Sequence, residues 1–273
     1  MPGTALALAL GAAFVHALWN VLLARARDPE AATAVALLVA IVAFALPAAV
    51  VWDVDERVWP YVAGSAALEL VYFALLAAAY RRVELSLVYP VARGSAPVLV
   101  LVIAVAGLGV STSWQQAAGV GLVAVGIVMV RGVRRETKPG VAFGLTIGAC
   151  IAGYTLIDKS GIRYATPISY LELTMLPPTI AYAAAVAVGK GVGALRAETN
   201  LASTVAGLAT FGAYALVLAA LRLAPAASVA AVRETSVIIA TALAAAFLKE
   251  RVGWGRMAGA VAVATGIGLL SSA

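Results

Sequence analysis

Cysteine, histidine and charge are what this chain has least of. One cysteine, Cys150, lies inside an apolar run, which excludes an intrachain disulfide framework and a cysteine-based metal cluster. One histidine, His16, cannot by itself build a triad, and no Ser/His/Asp cluster, phosphate loop or nucleotide fingerprint occurs elsewhere. An enzyme is therefore not expected, nor is a cofactor or metal. Charged residues make up 12% of the chain, against about a quarter in soluble domains. Long polar stretches are missing too: the longest polar connection, Arg131–Pro139, cannot hold a soluble domain.

What fills the chain is apolar. Hydrophobic residues make up 63% and the mean hydropathy is +1.01. The apolar runs are Thr4–Ala24, Ala31–Trp52, Trp59–Tyr80, Leu85–Gly107, Trp114–Val130, Gly140–Ile157, Pro167–Val188, Leu201–Leu221, Pro225–Leu248 and Gly253–Leu270. Each has roughly the 17–25 residues that a helix needs to cross the hydrocarbon core. Backbone groups in lipid need internal partners, and nothing alternates like a barrel strand, so the expected fold is an all-α integral membrane protein of about ten spans. The first run has no basic segment before it and the length of a full span, so it is expected to remain as a helix. The net charge of +6 does not point to nucleic acid, because the basic residues sit between apolar runs where membrane topology accounts for them. The expected partners are the lipid bilayer and a small-molecule substrate, with a proton or exchange substrate for energy coupling. The oligomeric state is not readable.

The chain repeats itself. Without a gap, Arg93 aligns with Arg233, Leu108 with Leu248, Trp114 with Trp254, Ala118-Gly119 with Ala258-Gly259, and Gly126-Ile127 with Gly266-Ile267. A register held across two spans indicates an internal repeat of five spans, residues 1–138 and 139–273. An odd number of spans inverts the second copy. Inverted repeats are a transporter architecture with the substrate site near the midplane. Pro90, Gly94 and Pro97 are expected to interrupt the fourth span around Arg93, and Pro225 opens the ninth. Small residues of the fifth and tenth spans, Gly119, Gly126, Gly259 and Gly266 among them, read as the seam between repeats.

Three stretches carry a family resemblance: HALWN (His16–Asn20), YPVARGSAP (Tyr89–Pro97), and Lys249-Glu250-Arg251 before a Gly-rich last span. With the five-plus-five layout, the chain resembles the drug/metabolite transporter superfamily, specifically its EamA-type ten-helix members. The resemblance implies a secondary transporter, often an exporter, of small organic molecules such as amino acids, metabolites or drugs. It implies a central cavity that opens alternately to each side. Unlike the related small multidrug-resistance proteins, this chain has no acid in its first span, so their proton mechanism does not transfer directly.

Polar residues at depth are the functional candidates. His16, Trp19 and Asn20 share a face of the first span, and Glu69 sits near the centre of the third with Tyr72 one turn on. Tyr89 and Arg93 share a face of the fourth span. Arg233 of the ninth is followed by Glu234, and Tyr154 and Tyr214 can add rings. Two arginines related by the pseudo-two-fold axis make a cationic floor for a carboxylate or phosphate. The competing reading is neutralisation by Glu69, Glu172 and Glu234 in closed salt bridges. An exporter of aromatic or cationic compounds would instead use Trp19, Tyr72, Tyr89 and Glu69. Glu69 and His16 are the proton-carrier candidates. Asp158 and Lys159, near the end of the sixth span, are expected at the interface.

Orientation draws on two arguments. Arg25, Arg27, Arg81, Arg82, Arg131, Arg134, Arg135, Lys138, Lys190, Arg196, Lys249 and Arg251 lie in odd-numbered connections, and only Arg57, Lys159, Arg163 and Arg222 in even ones. The charge bias places the odd connections in the cytoplasm and both termini outside the cell membrane. The family resemblance implies termini inside.

Overall fold

A computed structural model describes residues 1–23, 26–82, 85–131, 138–239 and 253–272. Nearly all of them are helical: α1 (Gly3–Leu23), α2 (Pro29–Val50), α3 (Trp59–Arg82), α4 (Leu85–Val102), α5 (Trp114–Arg131), α6 (Lys138–Gly161), α7 (Pro167–Lys190), the short α8 (Val192–Ala197), α9 (Leu201–Leu223), α10 (Ala226–Arg233) and α11 (Trp254–Ser272). Six helices are long and apolar enough to cross a membrane by length and composition, and the apolar stretches 91–107, 114–130 and 257–272 are shorter. The ninth span is described only as far as residue 239.

Helix starts follow local chemistry. Asp28 caps α2 by accepting from the backbone N–H of Glu30 and Ala31, with Pro29 in the first turn where its missing N–H costs nothing. Thr166 before Pro167 caps α7 in the same way, and Asn200 caps α9 through the N–H of Ser203.

Packing between helices obeys the inverted repeat. If α1 to α5 are exchanged with α6, α7, α9, α10 and α11, each major contact maps onto another. The α1/α9 contact becomes α6/α3, α2/α9 becomes α7/α3, and α1/α10 becomes α6/α4, while α2/α7 and α5/α11 map onto themselves. The α5/α11 seam is antiparallel and made by glycine. A Cβ on Gly119 would stand 2.8 Å from the carbonyl oxygen of Gly266, and one on Gly126 would stand 2.6 Å from that of Gly259. Lipid supplies no hydrophobic drive between helices, so such close backbone approach carries the association through dispersion.

Each face has its own latch. At the even-connection face the α2–α3 and α6–α7 loops pair: Asp55 N donates to Tyr164 O at 2.8 Å and Thr166 N to Asp53 O at 3.1 Å. Arg222 adds bonds to the carbonyls of Ile162 and Ala165, and Tyr61 stacks on Tyr164. At the odd face Lys190 bridges Asp28 and Glu30. Burial works against the Asp28 carboxylate, but Lys190 and two backbone N–H groups hold it below its ordinary range. Trp52, Trp59, Trp114 and Trp254 are exposed at span ends, as headgroup-level anchors require.

One expectation about helix breaks is corrected. The fourth span is not interrupted: α4 runs unbroken through Pro90, Gly94 and Pro97, then loosens into a π-helical turn at Ile103–Gly107. Gly94 serves packing, since a Cβ there would meet Val128 Cγ2 at 3.2 Å and Ala124 O at 3.4 Å. Pro225 opens the ninth span as expected, at the N-cap of α10, and that span then breaks after Arg233. Thr235 N bonds to Val232 O and Val237 N to Glu234 O, a 3₁₀-like tightening before the helix resumes at Ser236.

Gly126→Ala and Gly207→Ala are predicted to destabilise the purified protein by about 1–3 kcal/mol each, because backbone must shift. In the second case the new Cβ would lie 2.2 Å from Ala36 O. Gly121→Ala, with nothing within 4 Å, should leave the melting temperature unchanged or raise it. Equal effects at all three positions would contradict the seam.

Candidate functional site

Near mid-span, α1, α2, α3, α4, α6, α7, α9 and α10 converge on a cavity of about 100 Å³. Eight of the expected site residues line it: His16, Trp19, Glu69, Tyr72, Arg93, Tyr154, Tyr214 and Arg233. The lining extends to Leu23, the last residue of α1, and to Thr33 in the second turn of α2, both towards the odd face.

One wall is cationic. Arg93 Nη1 donates to Glu234 Oε1 at 3.2 Å, and Arg233 Nη2 donates to the same oxygen at 3.3 Å. Glu234 is fully buried, and each arginine is 6% exposed. Among the described residues, these two guanidiniums share the Glu234 carboxylate, so the three groups together carry a net positive charge. A buried triad of this kind is held by complementary hydrogen bonds, and removal of one partner leaves an uncompensated charge. Arg93 also approaches His16, with Nη2 3.1 Å from the ring Nε2. A guanidinium can only donate, so this contact makes Nε2 the acceptor of a neutral imidazole. His16 stands edge-on to Trp19 at 4.8 Å.

The opposite wall is aromatic and acidic. Tyr72, Tyr154 and Tyr214 form a run of edge-to-face contacts, 6.4 Å from Tyr72 to Tyr154 and 6.3 Å from Tyr154 to Tyr214. Glu69, 4% exposed, meets the hydroxyl of Tyr214 at 3.3 Å. Among the described residues, two buried donors on the lining residues have no partner: Trp19 Nε1 and Arg233 Nε. Buried polar groups are almost always hydrogen-bonded, so unpartnered donors at a cavity are sites for a ligand acceptor.

Several expectations are corrected. Asn20 does not line the cavity; its Nδ2 donates to the carbonyl of His16 one turn back, at 2.8 Å. Glu234 lies behind the arginines rather than beside the cavity, drawn inward by both. The side chain of Tyr89 lies outside the described residues. Glu172 does not join the arginines, and its Oε2 is buried without a partner among the described residues. Asp158 is not interfacial. It is fully buried, because Ser65 of α3, Tyr170 of α7 and Tyr214 of α9 cover the end of α6 and all direct hydroxyls at it. Its neighbour Lys159 instead caps the end of α9 through the carbonyls of Leu221 and Ala224. The burial of Asp158 and the hydroxyls of Ser65 and Tyr170 were missed, although Tyr154 and Asp158, four apart on α6, share a face.

An EamA-like transporter family model matches residues 3–132 and again 138–272. The chain belongs to the EamA-like transporter family. It is accordingly a multi-pass membrane protein of the drug/metabolite transporter superfamily, and a transporter of small molecules, as its relatives are. The two matches coincide with the two halves related by the inverted packing. No curated protein gives a significant match. Twenty-seven chains of solved structures do; one crystal structure, 14% identical, superposes with a TM-score of 0.74 over 99% of each chain and supports the fold alone.

Glu234→Gln is predicted to destabilise this EamA-like protein by about 3–5 kcal/mol, since two buried guanidiniums would then face each other unneutralised. Denaturation of purified protein measures it. A change below about 1 kcal/mol would mean that water already screens the arginines.

Proposed function

We propose that this transporter is a secondary exporter of a small organic metabolite with a carboxylate group, an amino acid or organic anion, by alternating access around the central cavity. The observation that carries the reading is two guanidiniums sharing the single carboxylate of Glu234, with Arg233 Nε left unpartnered among the described residues. A substrate carboxylate would receive charge-assisted hydrogen bonds from Arg233 and the Trp19 indole N–H. Glu69 and the tyrosine rings on the facing wall favour a zwitterion, whose ammonium they would receive.

Export follows from two further points. The charge bias of the loops supports cytoplasmic odd connections, and the cavity lining runs towards that face. Cargo would load from the cytoplasm, with the even-face latch closed against the exterior. An exporter of aromatic or cationic compounds is the second reading, favoured by the same ring-lined acidic wall, with Glu69 in place of the arginines as the anchor.

A panel of amino acids, organic acids and quaternary amines, screened by thermal shift on purified protein, should identify a carboxylate ligand that raises the melting temperature. Arg233→Ala should abolish that shift while Glu69→Gln only weakens it. The opposite order supports the cationic reading. A reporter fused after Ala273 that is active only in the cytoplasm would contradict the orientation.

A further inference from the structure

One fully buried carboxylate lies apart from the arginine pair and does not line the cavity. Asp158 is fully buried on the far side of Tyr214 from Glu69, one turn from the end of α6 at the even face. Its Oδ1 accepts from Ser65 Oγ at 2.6 Å and from Tyr170 OH at 3.0 Å, and its Oδ2 accepts from Tyr214 OH. Three hydroxyls that donate to one carboxylate satisfy an ionised Asp158.

Tyr214 OH lies within donor distance of both Glu69 Oε1 and Asp158 Oδ2, and one hydrogen cannot serve both, so a second proton on one of the two carboxylates completes the pair; the three hydroxyls at Asp158 favour Glu69 as its holder. Tyr214 then meets Glu69 Oε1, at 3.3 Å, as an acceptor. The arrangement is Glu69–OH, Tyr214–OH, Asp158–COO⁻ in series: two carboxylates, one hydroxyl bridge and one exchangeable proton.

We propose that Glu69, Tyr214 and Asp158 form a proton relay, in which Asp158 is the second proton station of the transporter and Tyr214 the bridge between the cavity and the even face. The transfer balances without any co-reactant. The O–H bond of Glu69 breaks as one forms on Tyr214 oxygen, and the original O–H bond of Tyr214 breaks as one forms on Asp158. The result is an ionised Glu69 and a protonated Asp158, and the reverse shift carries a proton from the even face to the cavity. The relay rests on the transport reading above and adds to it a route for coupling: a proton enters through Asp158 and leaves through Glu69 while cargo moves the other way. An ionised Glu69 is also the form that holds a substrate ammonium, so arrival of cargo and departure of the proton would share one step.

Among the described residues, the groups that face the two carboxylates are mostly fixed in charge; the Cys150 thiol of α6, which also lies near Glu69, is an ordinarily neutral group. Facing Glu69 are Arg93 of α4 and Arg233 of α10, which remain charged, and Tyr72 and Tyr154, with His16 across the cavity accepting from Arg93. Facing Asp158 are the three hydroxyls already named, while Lys159 points to the carbonyls at the end of α9. Glu172, half-buried on α7 with an unpartnered Oε2 among the described residues, is a further acid that can hold a proton, and it is removed in the test.

Infrared spectroscopy of the full-length protein in lipid, titrated through neutral pH in a Glu172→Gln background, reads the relay with the proton as the only ligand. The expected result is a protonated-carboxyl stretch that disappears in Glu69→Gln, persists in Asp158→Asn, and shifts in Tyr214→Phe because its acceptor has gone. A stretch that survives Glu69→Gln, or is unmoved by Tyr214→Phe, overturns the proposal. The measurement needs no substrate. Failure of the carboxylate screen would leave the relay standing, and loss of the relay would leave the substrate assignment intact.

Discussion

The structure depends on one interaction, the sharing of Glu234 between Arg93 and Arg233 in a low-dielectric interior. Isolated charges at that depth cost several kcal/mol each, and only close, hydrogen-bonded partners offset the cost. The inverted repeat brings the two arginines together because residues offset by 140 positions meet across its axis. It does not supply two acids. The position equivalent to Glu234 in the first half is Gly94, which packs tightly against α5 and leaves no room for a carboxylate. Two guanidiniums on the one Glu234 carboxylate are therefore a consequence of symmetry broken at one residue.

That asymmetry organises the rest. The helix of Arg233 must end where Glu234 turns inward, so the ninth span tightens there, whereas the fourth passes Arg93 and Gly94 without interruption. The glycine seam of α5 and α11 and the self-mapping α2/α7 contact hold the two halves in the register that places the arginines side by side. The two faces close by different chemistry, backbone pairing at the even face and an exposed lysine with two acids at the odd face. The second kind is weak in water, as a latch that must open requires.

Much of this was legible in the sequence. Helix length and apolarity gave the spans, the ungapped correspondence of Arg93 with Arg233 and of the glycine pairs gave the repeat, and charged or aromatic residues at depth marked the cavity lining. What escaped were matters of direction. Asp158 lies close enough to a helix end to read as interfacial, and only the packing of α3, α7 and α9 over that end shows that it is buried. Asn20 shares a face with His16 but bonds within its own helix. Proline and glycine in α4 resembled a break because their effect depends on whether neighbouring helices fill the space, which composition does not record.

The central claim is that the net positive charge of the arginine pair is there for a substrate oxyanion. Calorimetric titration of the purified protein with an amino acid ligand and its carboxamide tests it most directly, because the two differ only in the group that the arginines would receive. The account predicts that the carboxylate binds at least about tenfold more tightly, the share of a charged hydrogen bond. Equal affinities, or tighter binding of the carboxamide, would contradict it.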